Sequence, residues 1–202
     1  MAVSAGASAI GLVAPMPSGP GTISEIRIAH IAATVPPPIA TFLLTPHQNA
    51  DAIIDQHRHC RTNTIQLVDC VKHGELRKLR KQLPGINLVQ VIHVTGSESL
   101  MEAKSVASYV DALLLDSGNP DLAVKELGGT GRTHDWRVSR RIRDEAGIPL
   151  FLAGGLNAGN VVEAIRTVAP YGLDLCSSVR TDGRLDQPKL CEFMQAVASD
   201  AV

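Results

Sequence analysis

The residues best suited to chemistry stand between Leu113 and Asp135. An apolar run, Leu113-Leu114-Leu115, ends on Asp116. A polar stretch follows, and then Gly128-Gly129-Thr130-Gly131-Arg132-Thr133-His134-Asp135. A leucine run bounded by polar residues fits a strand buried on both faces, as parallel sheets require. Such a strand delivers one carboxylate at its end, and in barrels of alternating strands and helices the C-terminal strand ends carry the chemistry. Gly128, Gly129 and Gly131 let the backbone turn sharply and bring N–H groups close to an anion. Arg132 adds a fixed positive charge whose fork suits phosphate or carboxylate. Taken alone, an Asp at a strand end is also a common cap, and a Gly-Gly-x-Gly loop a common tight turn, so the remaining elements decide the weight of this motif.

Those elements alternate along the whole chain. Strands are expected around 8–14, 40–44, 64–68, 88–94, 113–116, 149–153 and 172–176, from short apolar runs between turn residues. Ser24 caps an expected helix with Ile26, Ile28, Ile31 and Ala32 on its apolar face. A second helix runs through Ala50, Ile53 and Ile54, a third from Glu75 to Leu83, and a fourth opens at Ser97. Asp135 caps a helix over 136–146 that Gly147 terminates in αL. Asn157 is expected to cap the next helix, which Pro170 stops, and Asp186 the last, which ends at about Val197. This is an α/β pattern with a parallel sheet. Seven strands are visible, and a closed eight-stranded barrel requires one more, upstream of Met1. A doubly wound sheet shares the local pattern, but no G-x-G-x-x-G follows the first strand, which weakens a dinucleotide-binding version.

With 202 residues the chain fits one domain, 1–202. Its 45% hydrophobic and 19% charged residues and formal net charge of −1 are ordinary for a globular protein, and no basic excess points to nucleic acid. Aromatics at 3% disfavour a base-stacking platform. Cys60, Cys70, Cys176 and Cys191 show no metal-ligand or disulfide spacing, so free thiols in a reducing cytosol are expected, with no metal and no cofactor. The first twenty residues lack the charged region of a signal peptide and the length of a membrane span. Arg77-Lys78-Arg80-Lys81 and Arg137-Arg140-Arg141-Arg143 read as wet helix faces.

Four ordered motifs carry a resemblance: Leu114-Leu115-Asp116; Gly128-Gly129-Thr130-Gly131-Arg132-Thr133 with Asp135-Trp136; Leu152-Ala153-Gly154-Gly155-Leu156-Asn157 with Asn160-Val161; and Pro170-Tyr171-Gly172-Leu173-Asp174. Together they resemble phosphoribosylanthranilate isomerase, a (βα)8-barrel enzyme of tryptophan biosynthesis. The match is traceable from about Ala2, where Ala9–Val13 resembles the family's second strand. The resemblance therefore implies a TIM-type (βα)8 barrel with its first strand missing at the N-terminus. It also implies an Amadori rearrangement of N-(5-phosphoribosyl)anthranilate in the cytoplasm, with a phosphosugar substrate and neither nucleic acid nor membrane as partner. Asp116 is then the general acid that opens the ribose ring, a role that needs a carboxyl pKa raised by burial. Gly154, Gly155, Ser177 and Ser178 offer amides to the phosphate, helped by a short helix dipole. Asp174 faces the anthranilate end, and Gly128, Gly129, Gly131, Arg132 and Asn157 complete the substrate-binding set. Arg132 stands where the family usually has lysine.

The chain also departs from the family. The family's base is a cysteine in a Lys-Ile-Cys-Gly-type motif on the first strand, and this chain starts after it. An arginine after the second strand aligns near Gly21, and a Gly-Val-Glu reads Ser178-Val179-Arg180 here. Cys176, two residues beyond Asp174 and so on the same side of a strand, is a conceivable thiol base, though cysteine more often simply packs. His93, at a strand end, suits acid–base work by its intrinsic pKa, while His47, His57, His59 and His73 read as solvated. The competing functions are a non-catalytic relative that binds a phosphorylated ligand or a protein, and a different phosphosugar enzyme on the same scaffold. An open barrel edge leads us to expect a homodimer, or cover from the N-terminal segment.

Overall fold

The structure, a computed structural model, describes residues 1–16, 21–118, 127 and 131–199. Seven strands form one parallel sheet: β1 (Ala9–Val13), β2 (Ala40–Thr45), β3 (Thr64–Leu67), β4 (Asn87–His93), β5 (Ala112–Asp116), β6 (Leu150–Leu152) and β7 (Gly172–Leu173). Each pairs with its sequence neighbour, in the order β1-β2-β3-β4-β5-β6-β7. A doubly wound sheet reverses its order at a switch point. Here the order never reverses, so every C-terminal strand end lies on one rim. Sequential winding thus excludes the alternative that periodicity left open.

Alternation divides each strand between two cores. Ile65, Leu67, Leu88, Ile92, Leu113, Leu115, Leu150 and Leu152 pack outward against the helices. Val89, Val91, Ala112, Leu114, Phe151 and Ala153 form a separate inner cluster with Val68 and Leu127. Asp116 follows Ala112 and Leu114 at steps of two, so its carboxyl belongs to the inner face. The helices are α1 (Glu25–Thr34), α2 (Ala50–Cys60), α3 (His73–Gln82), α4 (Ser99–Val106), α5 (Trp136–Ala146), α6 (Val161–Val168) and α7 (Gln187–Ser199). Local chemistry sets their ends. Asn49 Oδ1 accepts from the amides of Asp51 and Ala52 at 3.0 and 3.2 Å, and Asp135 accepts from Arg137 N at 2.9 Å. Gly147 closes α5 in αL (φ 70°). Asp186 accepts from Lys189 N at 3.1 Å at the head of α7.

Several expectations need correction. Ile26 does not face the core; it is 85% exposed, and Ile28 alone of the α1 residues is fully buried. The fourth helix begins at Ser99, behind Glu98. Asn157 heads a turn, accepting from Gly159 N, while α6 starts four residues later behind Asn160. The last strand pairs over only two residues, because β6 is itself only three long. His57 is buried, with Nε2 2.7 Å from the carbonyl of Thr62. The expected wet face of α3 is partly engaged: Arg80 pairs with Asp111 at 2.8 Å and Lys78 with Asp51 at 2.6 Å.

Among the described residues, β1 and β7 are both unpaired on their outer sides. The outer layer continues across this seam, where α7 packs on the 3-10 turn Val3–Ala5. A Cβ on Gly6 would stand 3.1 Å from Met194 Cε. No described helix is long and apolar enough to cross a membrane. Because Leu113 is fully buried in the main core, Leu113→Ala is expected to cost roughly 2–5 kcal/mol. Urea unfolding followed by circular dichroism measures this, and a loss below 1 kcal/mol would contradict the packing described.

Candidate functional site

The strand ends of β5, β6 and β7 enclose a cavity of about 50 Å³, larger than a single water requires. Asp116, Gly131, Gly154, Gly155, Asp174, Cys176, Ser177 and Ser178 line it. Eight of the residues singled out from sequence, spread over more than sixty positions, therefore meet at one point. Arg132 and Asn157 are exposed and do not line it, and Gly128 and Gly129 lie outside the described residues.

Two glycines shape the wall. Gly154 (φ +82°) lies so close to the end of β5 that a Cβ would stand 3.0 Å from Ser117 Oγ and 3.2 Å from Asp116 Oδ1. Gly155 (φ +65°) is tighter: its Cβ would sit 2.6 Å from the carbonyl carbon of Arg132 and 2.8 Å from Thr133 N. Only glycine meets both the positive φ and the backbone approach. Arg132 thus contributes through its main chain, against Gly155. Asn157 and Asn160 brace the same loop, both donating side-chain N–H groups to the Gly155 carbonyl, at 3.3 and 3.0 Å. Asn160 was not singled out as a site residue, although its place three residues after Asn157 is visible in the sequence.

The cup offers donors without occupying them. Among the described residues no acceptor takes the amides of Gly154, Gly155, Ser177 or Ser178, and the buried Ser178 Oγ has no partner. An unpaired buried hydroxyl such as that of Ser178 calls for a ligand or ordered water. The short helix expected beside the phosphate is a single 3-10 turn, Ser177–Val179. It supplies separate amides rather than a helix dipole, which needs several aligned peptide units.

Asp116 is 8% exposed, and its Oδ1 accepts from Ser117 N at 2.7 Å. Asp174 carries the raised carboxyl pKa of this site, about 6. Desolvation by the surrounding wall is the main cause, with the negative charge of Asp116 second, against one amide bond from Leu175. Asp174 keeps partial solvent contact as a residue, but its carboxyl is the crowded part. Burial also pushes the Cys176 thiol up; Arg180 pulls it back and Asp174 adds to the rise. A raised thiol is a poor base at neutral pH. His134 has its pKa lowered by burial, against the charges of Asp116 and Asp135, and its Nε2 lies 2.7 Å from Ser139 Oγ. His93 pairs in register with Asp116 across β4 and β5, with Nε2 3.0 Å from the Val68 carbonyl. Among the described residues no group of three His, Cys, Asp or Glu side chains is gathered as a metal site requires.

A sequential parallel sheet with two acids and open amides at its C-terminal rim defines the class of TIM-type barrels that carry their site at the strand ends. Comparison with known proteins narrows that class. A family model for N-(5'-phosphoribosyl)anthranilate isomerase matches residues 18–196. The N-(5'-phosphoribosyl)anthranilate isomerase of Methanocella arvoryzae is 33% identical over 193 residues, covering 95% of this chain and 88% of the relative. That of Haloferax volcanii is 37% identical over 198 residues, covering 98% and 86%. The crystal structure of phosphoribosyl anthranilate isomerase from Thermotoga maritima superposes with a TM-score of 0.83 at 26% identity, covering 98% of this chain and 91% of that one. A phosphoribosyl anthranilate isomerase in complex with reduced 1-(o-carboxyphenylamino)-1-deoxyribulose 5-phosphate shares the fold, with a TM-score of 0.80 at 24% identity and the same coverage. This chain belongs to the N-(5'-phosphoribosyl)anthranilate isomerase family.

The shift at Asp174 has a consequence for stability. Its folded pKa lies above the ordinary value of 3.8, so the folded state holds the proton more tightly. The cost of burying the charge is absent below about 3.8, grows as pH rises, and is complete above about 6. Asp174→Asn is therefore expected to match the wild type in melting temperature at pH 3.5 and exceed it at pH 7, the gap opening across that window. A gap independent of pH would refute the shift.

Proposed function

We propose that the chain converts N-(5'-phosphoribosyl)anthranilate to its 1-deoxyribulose phosphate isomer, the Amadori rearrangement of tryptophan biosynthesis. The observation that carries this reading is the meeting of Asp116 and Asp174 with the open amides of Gly154, Gly155, Ser177 and Ser178 in one cavity. In this proposal the amides and the Ser178 hydroxyl receive the phosphate oxygens, and the backbone of Gly131 closes the side of the cup.

Proton transfer falls to the two carboxyls. Desolvation first, and the charge of Asp116 second, raise the Asp174 carboxyl to about 6, so Asp174 exchanges its proton near that pH. Asp116 gives a proton to the ribose ring oxygen. The C1–O bond breaks, and the nitrogen lone pair closes a C1=N bond. Asp174 takes the proton from C2, whose electrons form C1=C2 as the iminium becomes an enolamine. The enol hydroxyl loses its proton while C1 gains one, and the ketone results. No atom is gained or lost, and the Asp174 carboxyl, raised to about 6, titrates close to the working range, where general acid–base catalysis is most effective.

Turnover is read as the loss of anthranilate-type fluorescence on addition of purified protein. Asp116→Asn is expected to lower kcat by roughly 10²–10⁴-fold. A correctly folded wild-type chain with no turnover would overturn the proposal. The reading places the protein in the cytoplasm and as a homodimer, the β1 and β7 edges, unpaired among the described residues, providing the surface for self-association. Light scattering at micromolar concentration is expected to give twice the chain mass; a monomer would remove the dimer.

A further inference from the structure

We propose that Arg180 binds the ring carboxylate of the substrate and selects for it. This rests on the isomerase reading above, since the substrate then carries two anions, a phosphate at one end and an aromatic carboxylate at the other. The cup provides neutral amides and hydroxyls for one of them. Its remaining polar groups include Asp116 and Asp174, and an arriving carboxylate is repelled by both. A cation beside the cup is required, and Arg180 is placed to be it.

Arg180 follows the 3-10 turn Ser177–Val179 and begins a two-stranded hairpin, Arg180–Thr181 with Arg184–Leu185. Its guanidinium lies beside the thiol of Cys176, which lines the cavity. Across the seam it reaches the loop after β1: a Cβ on Gly21 would stand 3.4 Å from Nη2, 3.5 Å from Nη1 and 3.6 Å from Cζ. Three nearly equal distances mean that the flat face of the group covers Gly21. The arm is held from behind, with Nη1 donating to the Gly183 carbonyl at 2.8 Å and Lys189 Nζ donating to the Arg180 carbonyl at 3.1 Å.

The contrast with other arginines is informative. Arg80, Arg137, Arg140 and Arg143 each pair with an aspartate. Among the described residues no carboxylate pairs with Arg180, although it is partly buried. Of its five donors, one goes to the Gly183 carbonyl and another to the Cys176 thiol, which leaves donors to receive a carboxylate. The competing role is scaffolding, with Arg180 a staple between the hairpin and the Gly21 loop. A ligand with and without the carboxylate separates the two.

The test measures binding by calorimetry of two ligands to the wild type, Arg180→Ala and Arg180→Lys. One is reduced 1-(o-carboxyphenylamino)-1-deoxyribulose 5-phosphate, and the other is the same compound without the ring carboxylate. Arg180→Ala is expected to weaken the carboxylated ligand about 10- to 100-fold, as for a lost charged hydrogen bond, and to leave the other unchanged. Arg180→Lys keeps the charge without the fork and is expected to fall between. In turnover, KM rises more than kcat falls. Equal weakening of both ligands by both variants establishes a scaffold and overturns the proposal, as does weakening of neither. A wild type that binds the two ligands equally overturns the Arg180 assignment alone. A wild type that binds neither overturns the isomerase reading and the assignment with it.

Discussion

The contact on which this site depends is the approach of the Gly154–Gly155 backbone to its neighbours. One glycine abuts Asp116 and Ser117 at the end of β5; the other abuts the main chain of Arg132 and Thr133 before α5. Three rim segments are thereby brought into close contact, at Gly155 through main-chain atoms alone. A methyl group at 155 would have to displace backbone atoms rather than a flexible side chain, and the cup would open. The two asparagines that hold the Gly155 carbonyl keep the loop in its left-handed turn. Amides that elsewhere close a turn are thus left without an acceptor among the described residues, at the wall of a cavity.

Electrostatics follow from the same crowding. Two carboxyls sit at one rim, and the wall that encloses them excludes water. Desolvation dominates the shift at Asp174, and the charge of Asp116 reinforces it. A carboxyl raised towards neutrality can take up and release a proton, and proton movement is what an aldose-to-ketose rearrangement needs. The neighbouring groups are consistent with this. His134 is held neutral by burial, and the Cys176 thiol is held protonated, so neither competes for the proton at neutral pH.

The seam between β1 and β7 gives the molecule an unusual boundary. Sheet pairing stops there among the described residues, yet contacts cross it at both levels. On the outside, α7 packs on the N-terminal turn near Gly6 and Met194. On the rim, the Arg180 guanidinium covers Gly21. Charge and packing therefore meet where the hydrogen-bonded sheet is open. The hairpin that carries Arg180 turns through Asp182 and Gly183, both with positive φ, the conformation that favours Asp-Gly in two-residue hairpins.

Residue order alone determined the α/β pattern, most helix caps, and the run of motifs that marks the family. Those features are local: a cap, a glycine turn or an apolar run acts through neighbours a few positions away. The Asp182-Gly183 hairpin was equally local and legible, though it was not singled out. Folding decided what depends on distant neighbours. Only sequential winding distinguishes a barrel from a doubly wound sheet. Only packing shows that Asn157 braces a loop, that Arg132 serves through its backbone, and that His57 is buried. The raised pKa of Asp174 comes from a wall contributed by several strands, and the meeting of Arg180 with Gly21 joins residues 159 positions apart. Such effects are sums over atoms brought together by the fold, and no window of sequence contains them.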